Sequence, residues 1–183
     1  MQHTITQGWR LLLATSLLFG LAIAGIRPAF ASGNTNVRQL PPPSGDVLLI
    51  IDGAITSTND GTEAHLDLDA IRSLPAYSLH TSTAVTDGVK HFEGVLMRDL
   101  LQLVGASGAM VEAGALNNYS VDIPIADFHD YDVVLATHMD GKQLLPSDKG
   151  PFWIVYPRDE WRQLQDIRYD YRWVWQLNRL TVK

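Results

Sequence analysis

The chain has 183 residues, of which 46% are hydrophobic and 19% are charged. This length and composition exclude a disordered chain and suit one packed domain rather than two of ordinary size. The formal net charge of -6 argues against a protein that neutralises nucleic-acid phosphate, so we expect no nucleic-acid partner. The sequence has no cysteine, which excludes disulfide bonds, thiolate metal ligands and a cysteine nucleophile.

The first 31 residues have the pattern of a secretory signal peptide. Arg10 precedes an apolar run over residues 11–26, and the small residues Ala29 and Ala31 stand where a signal peptidase reads the chain. The apolar run is shorter than the ~20 residues that a membrane-spanning helix needs, which disfavours the alternative of an uncleaved anchor. The sequence therefore predicts cleavage after Ala31 and an exported protein.

The segment after the cleavage site is predicted to be a flexible leader over residues 32–45. Its Pro41-Pro42-Pro43 run cannot join a helix or an interior strand. Residues 46–183 show no internal repeat and form one predicted domain. Removing residues 1–31 takes away two arginines and no acid, which leaves the mature protein with a net charge of -8.

The first half of the domain combines strands with short helices. Val47–Ile51 is an apolar run that predicts a strand buried on both faces, and Tyr77–Thr83 alternates as a half-buried strand does. Asp67 is placed to cap a short helix. Residues 95–104 carry a single apolar stripe that predicts a helix, and Gly105 follows at the position of a left-handed cap.

The second half of the domain is rich in predicted strands. Asp140-Gly141 predicts a two-residue hairpin turn, and residues 126–130 could make one helical turn. The strands expected here are Met110–Leu116, Tyr119–Ile123, Asp132–Met139, Lys142–Leu145, Phe152–Tyr156 and Trp173–Val182. Many strands with few helices predict an α+β fold, a single compact domain of mixed sheets.

Common catalytic and metal-binding motifs are absent from the sequence. The histidines after residue 31 lack the close spacing that metals favour, although His138 and Asp140 could offer two ligands across the hairpin. The closely spaced acids Asp127, Asp130 and Asp132 lack the glycine and glutamate of a calcium loop, so a solvated turn is favoured. No phosphate-binding glycine loop or serine-hydrolase elbow occurs.

The C-terminal third concentrates the tryptophans. Alternation along residues 152–156 places Trp153 on the face opposite Phe152 and Tyr156, so Trp153 need not share their core. Tryptophans that face a cleft form a slot for a flat ring, and neighbouring acids accept hydrogen bonds from it. Ordinary core packing of Trp173 or Trp175 remains an equally good interpretation.

Four segments together resemble the molybdopterin-binding domain of the sulfite oxidase superfamily. They are Phe92-Glu93-Gly94-Val95-Leu96-Met97-Arg98-Asp99-Leu100-Leu101, Asn118 to Pro124, Asp140 to Pro146 and Gly150 to Pro157. The resemblance covers about residues 47–183 and implies a domain that binds a pterin. It also implies a molybdenum-ligating cysteine just before the first segment, where the register of this chain places Ser82.

A hydroxyl is a far poorer ligand than a thiolate for a soft metal. The resemblance also implies basic residues near the Gly-Pro pair and the final strand, where this chain has Trp153 and Trp175. The pocket therefore suits a reduced pterin without its phosphate and metal. Short, exported, cysteine-free members of the superfamily include proteins thought to sense reduced pterins in the periplasm and to relay that state to a membrane-bound cyclic-di-GMP enzyme. This chain is similar to them in length, signal peptide and aromatic C-terminus.

The leading hypothesis is a non-catalytic periplasmic pterin sensor with a small-molecule ligand and the periplasmic domain of a membrane signalling protein as partner. We assign no catalytic residue and no metal ligand. The predicted pterin-binding residues are Trp153 and Trp175 for stacking, Ser82 and Thr83 for hydroxyl contacts, and Asp122 or Asp159 as acceptors. The alternatives are a molybdopterin-dependent oxidoreductase that tolerates serine and an interaction module without a ligand.

Overall fold

The computed structural model describes residues 38–183. These residues all belong to one compact unit. The predicted signal peptide, residues 1–31, lies outside the described residues. Between residues 38 and 183, no helix is long and apolar enough to cross a membrane.

The described residues form short strands and a few short helices. The strands are β1 (Arg38–Gln39), β2 (Leu49–Gly53), β3 (Ser57–Thr58), β4 (Ala64–Leu66), β5 (Ala76–Ser82), β6 (Val89–Leu96), β7 (Met110–Ala115), β8 (Ser120–Pro124), β9 (Val134–Met139), β10 (Lys142–Gln143), β11 (Trp153–Val155) and β12 (Leu177–Val182). The α-helices are α1 (Leu68–Arg72), α2 (Met97–Leu103), α3 (Ile125–Asp130) and α4 (Ile167–Asp170), and a 3₁₀ turn spans Arg162–Gln165.

Two five-stranded sheets make up most of the domain. In the first sheet, β6 lies between β5 and β9, and β9 pairs beyond it with both β10 and β11, all antiparallel. The second sheet has the order β4-β2-β12-β7-β8, parallel between β2 and β12 and antiparallel elsewhere. A separate parallel pair joins β1 to β3.

Both sheets contribute to one continuous apolar core. Leu49 and Ile51 of β2, Leu180 of β12 and Phe92 of β6 are all fully buried, and they belong to a single cluster. Burying one cluster between mixed sheets and short helices is the arrangement of an α+β domain. The fold class predicted from the sequence is confirmed.

The local features predicted from turn and cap residues are present. Asp67 caps α1, and its Oδ1 accepts a hydrogen bond from the Ala70 backbone N–H at 2.8 Å. Gly105 follows α2 with φ 62°, and the hairpin between β9 and β10 turns through Asp140 at φ 50° and Gly141 at φ 72°. These positions carry the cap and turn residues that left-handed backbone favours.

Two predicted element boundaries are wrong. Val95 and Leu96 end β6 instead of beginning the helix, because they pair with β9. Trp173 and Trp175 precede the last strand, which begins at Leu177. Gln176 has φ 54°, a left-handed conformation that interrupts extended backbone.

The predicted flexible leader is wrong for its described part. β1 lies within it and pairs with β3. Leu40 is buried in the core, and the backbone N–H groups of Ser44 and Gly45 both donate to the Asp67 carboxylate. This part of the segment is held in place because Leu40 is buried in the core and the Asp67 carboxylate accepts hydrogen bonds from two backbone N–H groups.

Candidate functional site

A cavity of about 200 Å³ lies beside the start of the last strand. It is bordered mainly by aromatic rings, with one carboxylate and one amide. We call it the aromatic cavity, and its lining residues are Asn117, Tyr119, Asp170, Tyr171, Trp173 and Trp175.

The turn between β7 and β8 provides one wall of the aromatic cavity. Asn118 has φ 66°, which reverses the chain and places Tyr119 at the start of the returning strand. The Tyr119 hydroxyl donates to the Tyr171 backbone carbonyl at 2.7 Å, joining this turn to the segment after α4. Partial desolvation of the phenol raises the pKa of Tyr119 above its ordinary value.

Tryptophan rings build the opposite wall. Trp173 and Trp175 both pack edge-on against Trp153, with ring centroids 6.2 and 6.4 Å apart. Trp153 is fully buried and supports the two rings from below. Such edge-to-face contacts fix the ring planes and so define a flat-sided slot.

Asp170 supplies the acidic group of the aromatic cavity. It ends α4, and its Oδ1 atom is buried without a hydrogen-bond partner among the described residues. The nearest cation is Arg158, whose Nε lies 3.9 Å from this oxygen, beyond hydrogen-bond distance. The Arg158 Nε is also buried and unpartnered among residues 38–183. The two groups form a loose buried ion pair, and Asp170 is the member of the pair that lines the aromatic cavity.

Ser82 and Asp159, two predicted site residues, lie in direct contact. The Ser82 backbone N–H and hydroxyl each donate to a different oxygen of the Asp159 carboxylate at 2.6 Å. The Asp159 backbone N–H in turn donates to the Thr81 hydroxyl at 3.2 Å. These bonds fasten the end of β5 to the segment that follows β11.

The residues at this position do not fit molybdenum. The implied cysteine ligand is replaced by Ser82, whose hydroxyl donates its proton to Asp159 instead of pointing a free lone pair at a metal. No group of three or more histidine, aspartate or glutamate side chains within residues 38–183 is arranged to hold a metal ion. A neutral hydroxyl already bound to a carboxylate is a poor substitute for a thiolate. We derive no chemistry through a metal here.

Trp153 does not lie where the sequence predicts. The sequence allows Trp153 to lie outside the core and assigns it to stacking, whereas in the structure it is fully buried: the Phe92 ring packs edge-on at a centroid distance of 5.4 Å, and the Trp173 ring also packs against it. A ring without an exposed face cannot stack on a ligand. Trp175, which is only partly buried, is the predicted stacking residue that lines the aromatic cavity.

The other predicted contacts have local partners instead. Thr83 is buried, and its hydroxyl bonds to the Thr86 hydroxyl at 2.8 Å and accepts from the Val85 N–H. Asp122 lies on β8, in the second sheet, and accepts from the Lys183 ammonium at 3.0 Å. Of the predicted binding residues, only Trp175 lines the aromatic cavity; Ser82, Thr83, Asp122, Trp153 and Asp159 do not.

The sequence misses four residues of the aromatic cavity. Asn117 and Tyr119 come from a turn about fifty positions before the tryptophans, so no local pattern connects them. Asp170 and Tyr171 lie within the aromatic-rich C-terminal third that the sequence singles out. An acid among closely spaced aromatic residues was therefore the available clue.

A buried polar cluster stands behind the site. The Tyr156 hydroxyl donates to the Asp127 carboxylate at 2.8 Å, and Arg172 donates to the same oxygen. The prediction of a solvated turn is wrong for Asp127, which is 7% exposed because Tyr156 and Arg172 enclose it. The cluster joins α3 to the segment that carries Trp173 and Trp175.

The family comparison agrees with the sequence resemblance. The family model for the oxidoreductase molybdopterin binding domain matches residues 60–164, more than half of the chain. A comparison with curated proteins gives no match. The matched region contains the Ser82–Asp159 contact, while Trp173 and Trp175 lie beyond it. The chain belongs to the oxidoreductase molybdopterin binding domain family.

Proposed function

We propose that this protein binds a reduced pterin without molybdenum in the aromatic cavity and acts as a non-catalytic sensor in the periplasm. Ligand-dependent association with the periplasmic domain of a membrane-bound cyclic-di-GMP enzyme is the proposed output. The signal-peptide pattern of residues 1–31 supports export, and the resemblance to short, cysteine-free members of the superfamily supports the sensor role.

The observation that carries the proposal is the carboxylate residue Asp170 on the wall of the cavity, beside flat aromatic rings. A pterin is a planar bicyclic ring whose guanidine-like edge presents neighbouring N–H donors. A carboxylate accepts such a pair of donors in a charge-assisted arrangement. Trp175 offers the ring a stacking surface, and these two interactions need different parts of the same ligand.

The size of the aromatic cavity favours the ring alone. Its volume of about 200 Å³ lies below the ~300–1,000 Å³ of sites for drug-sized ligands. A bare pterin ring therefore suits it better than a complete molybdopterin with its metal and phosphate.

The position of the aromatic cavity suits a sensor. Tyr119 and Tyr171 are 41% and 59% exposed, and they stand at the cavity's edge, joined by a hydrogen bond. A ligand that contacts these two residues also changes the surface that a partner meets. A partner that binds the ligand-bound protein and the ligand-free protein with different affinities can read the signal, and this requires no chemical step.

The proposal is tested by titrating the protein with tetrahydrobiopterin in oxygen-free buffer while tryptophan fluorescence is followed. We expect Trp175→Ala to raise Kd at least about tenfold through lost stacking. Asp170→Asn keeps the shape of the side chain and removes the charged acceptor, so we expect a rise of about 10–100-fold. The pterin should be recovered chemically unchanged.

Two matched variants control for general effects of these substitutions. Trp161 is 42% exposed and outside the aromatic cavity, and Asp87 is exposed near the β5–β6 turn. Trp161→Ala and Asp87→Asn should bind like the unaltered protein. Equal affinities in all four variants would overturn the assignment of the cavity, and conversion of the pterin would overturn the non-catalytic role.

A further inference from the structure

A second cavity, of about 510 Å³, is bordered by three arginines among its six lining residues. We call it the basic cavity, and its lining residues are Arg162, Gln163, Asp166, Arg168, Tyr169 and Arg172. The whole chain has a net charge of -6, so three guanidinium groups around one cavity are a local reversal of its charge. Such a reversal raises the local concentration of anions.

The carboxylates near the basic cavity do not neutralise it. Arg168 donates to Asp166 through Nε at 2.9 Å and Nη2 at 3.0 Å, and Arg172 is paired with Asp127. The side chain of Arg162 makes no hydrogen bond or ion pair with another residue between 38 and 183. Three guanidinium groups therefore face two carboxylates, which leaves one positive charge in excess.

Arg172 is held in a fixed orientation. Its guanidinium carbon lies 4.7 Å from the centre of the Tyr169 ring, and its Nη1 donates to Asp127. A guanidinium has five N–H donors, so this arrangement leaves further donors of a preoriented group available. Pre-orientation lowers the entropy that an arginine loses when it binds an anion.

We infer that the basic cavity is a binding site for a phosphate or carboxylate group. Arginines recognise both groups through paired N–H donors, and the excess charge is contributed by Arg162. The short segment from Tyr169 to Arg172 borders both cavities, since Asp170 and Tyr171 line the aromatic cavity. The anion is therefore either a separate ion or an acidic substituent of the molecule in the aromatic cavity.

The first test uses inorganic phosphate and isothermal titration calorimetry at low ionic strength, where exposed charges are least screened. We expect Arg162→Gln to weaken binding about tenfold, because it removes the unpaired charge while leaving the pairs of Arg168 and Arg172 intact. Arg72→Gln is the matched control, an exposed arginine at the end of α1. Its affinity for phosphate should stay within about twofold of the unaltered protein.

The second test identifies the source of the anion and rests on the proposed pterin site. Pterin and folate share the ring, and folate adds a tail with two carboxylates. If the anion belongs to the ligand, Arg162→Gln weakens folate and leaves pterin unchanged. If the anion is a separate ion, Arg162→Gln weakens the binding of phosphate and leaves the affinities for pterin and folate unchanged.

The inference is overturned if Arg162→Gln changes neither phosphate nor folate affinity, or if Arg72→Gln causes the same loss. The site binds an adventitious ion only if any salt displaces phosphate equally well and the affinity for phosphate does not depend on Arg162. Failure of the pterin proposal has a different outcome. In that case pterin and folate do not bind, while phosphate binding still depends on Arg162.

Discussion

At the scale of single residues, the Tyr156–Asp127–Arg172 cluster places a hydroxyl and a carboxylate inside the domain. Burial and the neighbouring Asp127 carboxylate raise the pKa of Tyr156 well above its ordinary value. Buried polar groups are tolerated when each has a partner, and removing one partner leaves the other unsatisfied. The cluster also holds Arg172 in place beside the basic cavity, so loss of the cluster would also disturb the wall of that cavity.

Tyr156→Phe tests this cluster. The substitution removes one of the two donors to Asp127, and we expect the free energy of unfolding to fall by about 1–3 kcal/mol at neutral pH. An unfolded tyrosine ionises near pH 10, whereas Tyr156 resists ionisation when folded. Its contribution is therefore fully present below about pH 10 and is lost as the pH rises toward the folded pKa.

Urea unfolding of both proteins between pH 7 and pH 11 measures this effect. Burial also raises the pKa of Tyr77 and Tyr119, so the alkaline loss of stability should become shallower in Tyr156→Phe without vanishing. The same alkaline slope in the two proteins would contradict the role assigned to Tyr156.

The residue scale is also where prediction of the site from sequence is weakest. Alternation correctly separates Trp153 from Phe152, but it does not reveal whether the second face of a strand is covered as well. Ser82 and Asp159 are each identified from the sequence, yet their contact joins residues 77 positions apart. Asp170 becomes notable only when the fold places it on the wall of the aromatic cavity. Residue types can be proposed from sequence, whereas their partners depend on the fold.

At the scale of elements, the close approach of β6 and β9 depends on a glycine. Gly94 lies where the pairing of these strands shifts register, and a Cβ there would overlap the backbone carbonyl of Leu135. Backbone cannot move aside as a flexible side chain does, so the strands would have to separate. Gly94 of β6 pairs with Ala136 of β9, and Ala136 pairs on its other side with Trp153 of β11. The close approach of β6 and β9 therefore lies next to Trp153.

Gly94→Ala is therefore expected to reduce the free energy of unfolding by about 1–3 kcal/mol or more. Gly114→Ala is the matched control, since Gly114 also lies in a strand, and the nearest atoms to an added Cβ are 3.8 Å away. It should change stability by less than about 0.5 kcal/mol. Equal effects in chemical denaturation would show that side-chain propensity, rather than the close approach of the strands, sets the cost.

Elements with a local chemical cause are predictable from the sequence. Asp67, Gly105 and the Asp140-Gly141 turn each act within a few residues, and each is confirmed. β6 is missed because its last residues continue the apolar stripe of α2, and a short apolar run does not distinguish strand from helix. The break at Gln176 is missed because no proline or glycine marks it.

At the scale of the whole molecule, the second sheet is completed by residues outside the family match. β12 is its central strand and pairs with β2 on one side and β7 on the other. β2 and β12 both lie beyond residues 60–164. Arg179 of β12 also bonds to Asp52 and Glu63, which ties the central strand to its neighbours. The matched region alone therefore lacks the middle of one sheet and part of the core.

Removing residues 177–183 should consequently abolish cooperative folding, because it exposes the facing edges of β2 and β7 and deletes the buried Leu180 and Val182. The cost of losing a central strand exceeds the few kcal/mol of net stability that a domain retains. Removing the chain through Gln39 is the control, since β1 pairs only with β3 outside both large sheets. That truncation should lower Tm by less than about 5 °C. A cooperative thermal transition with intact near-ultraviolet circular dichroism after loss of β12 would contradict the assignment of one core shared by both sheets.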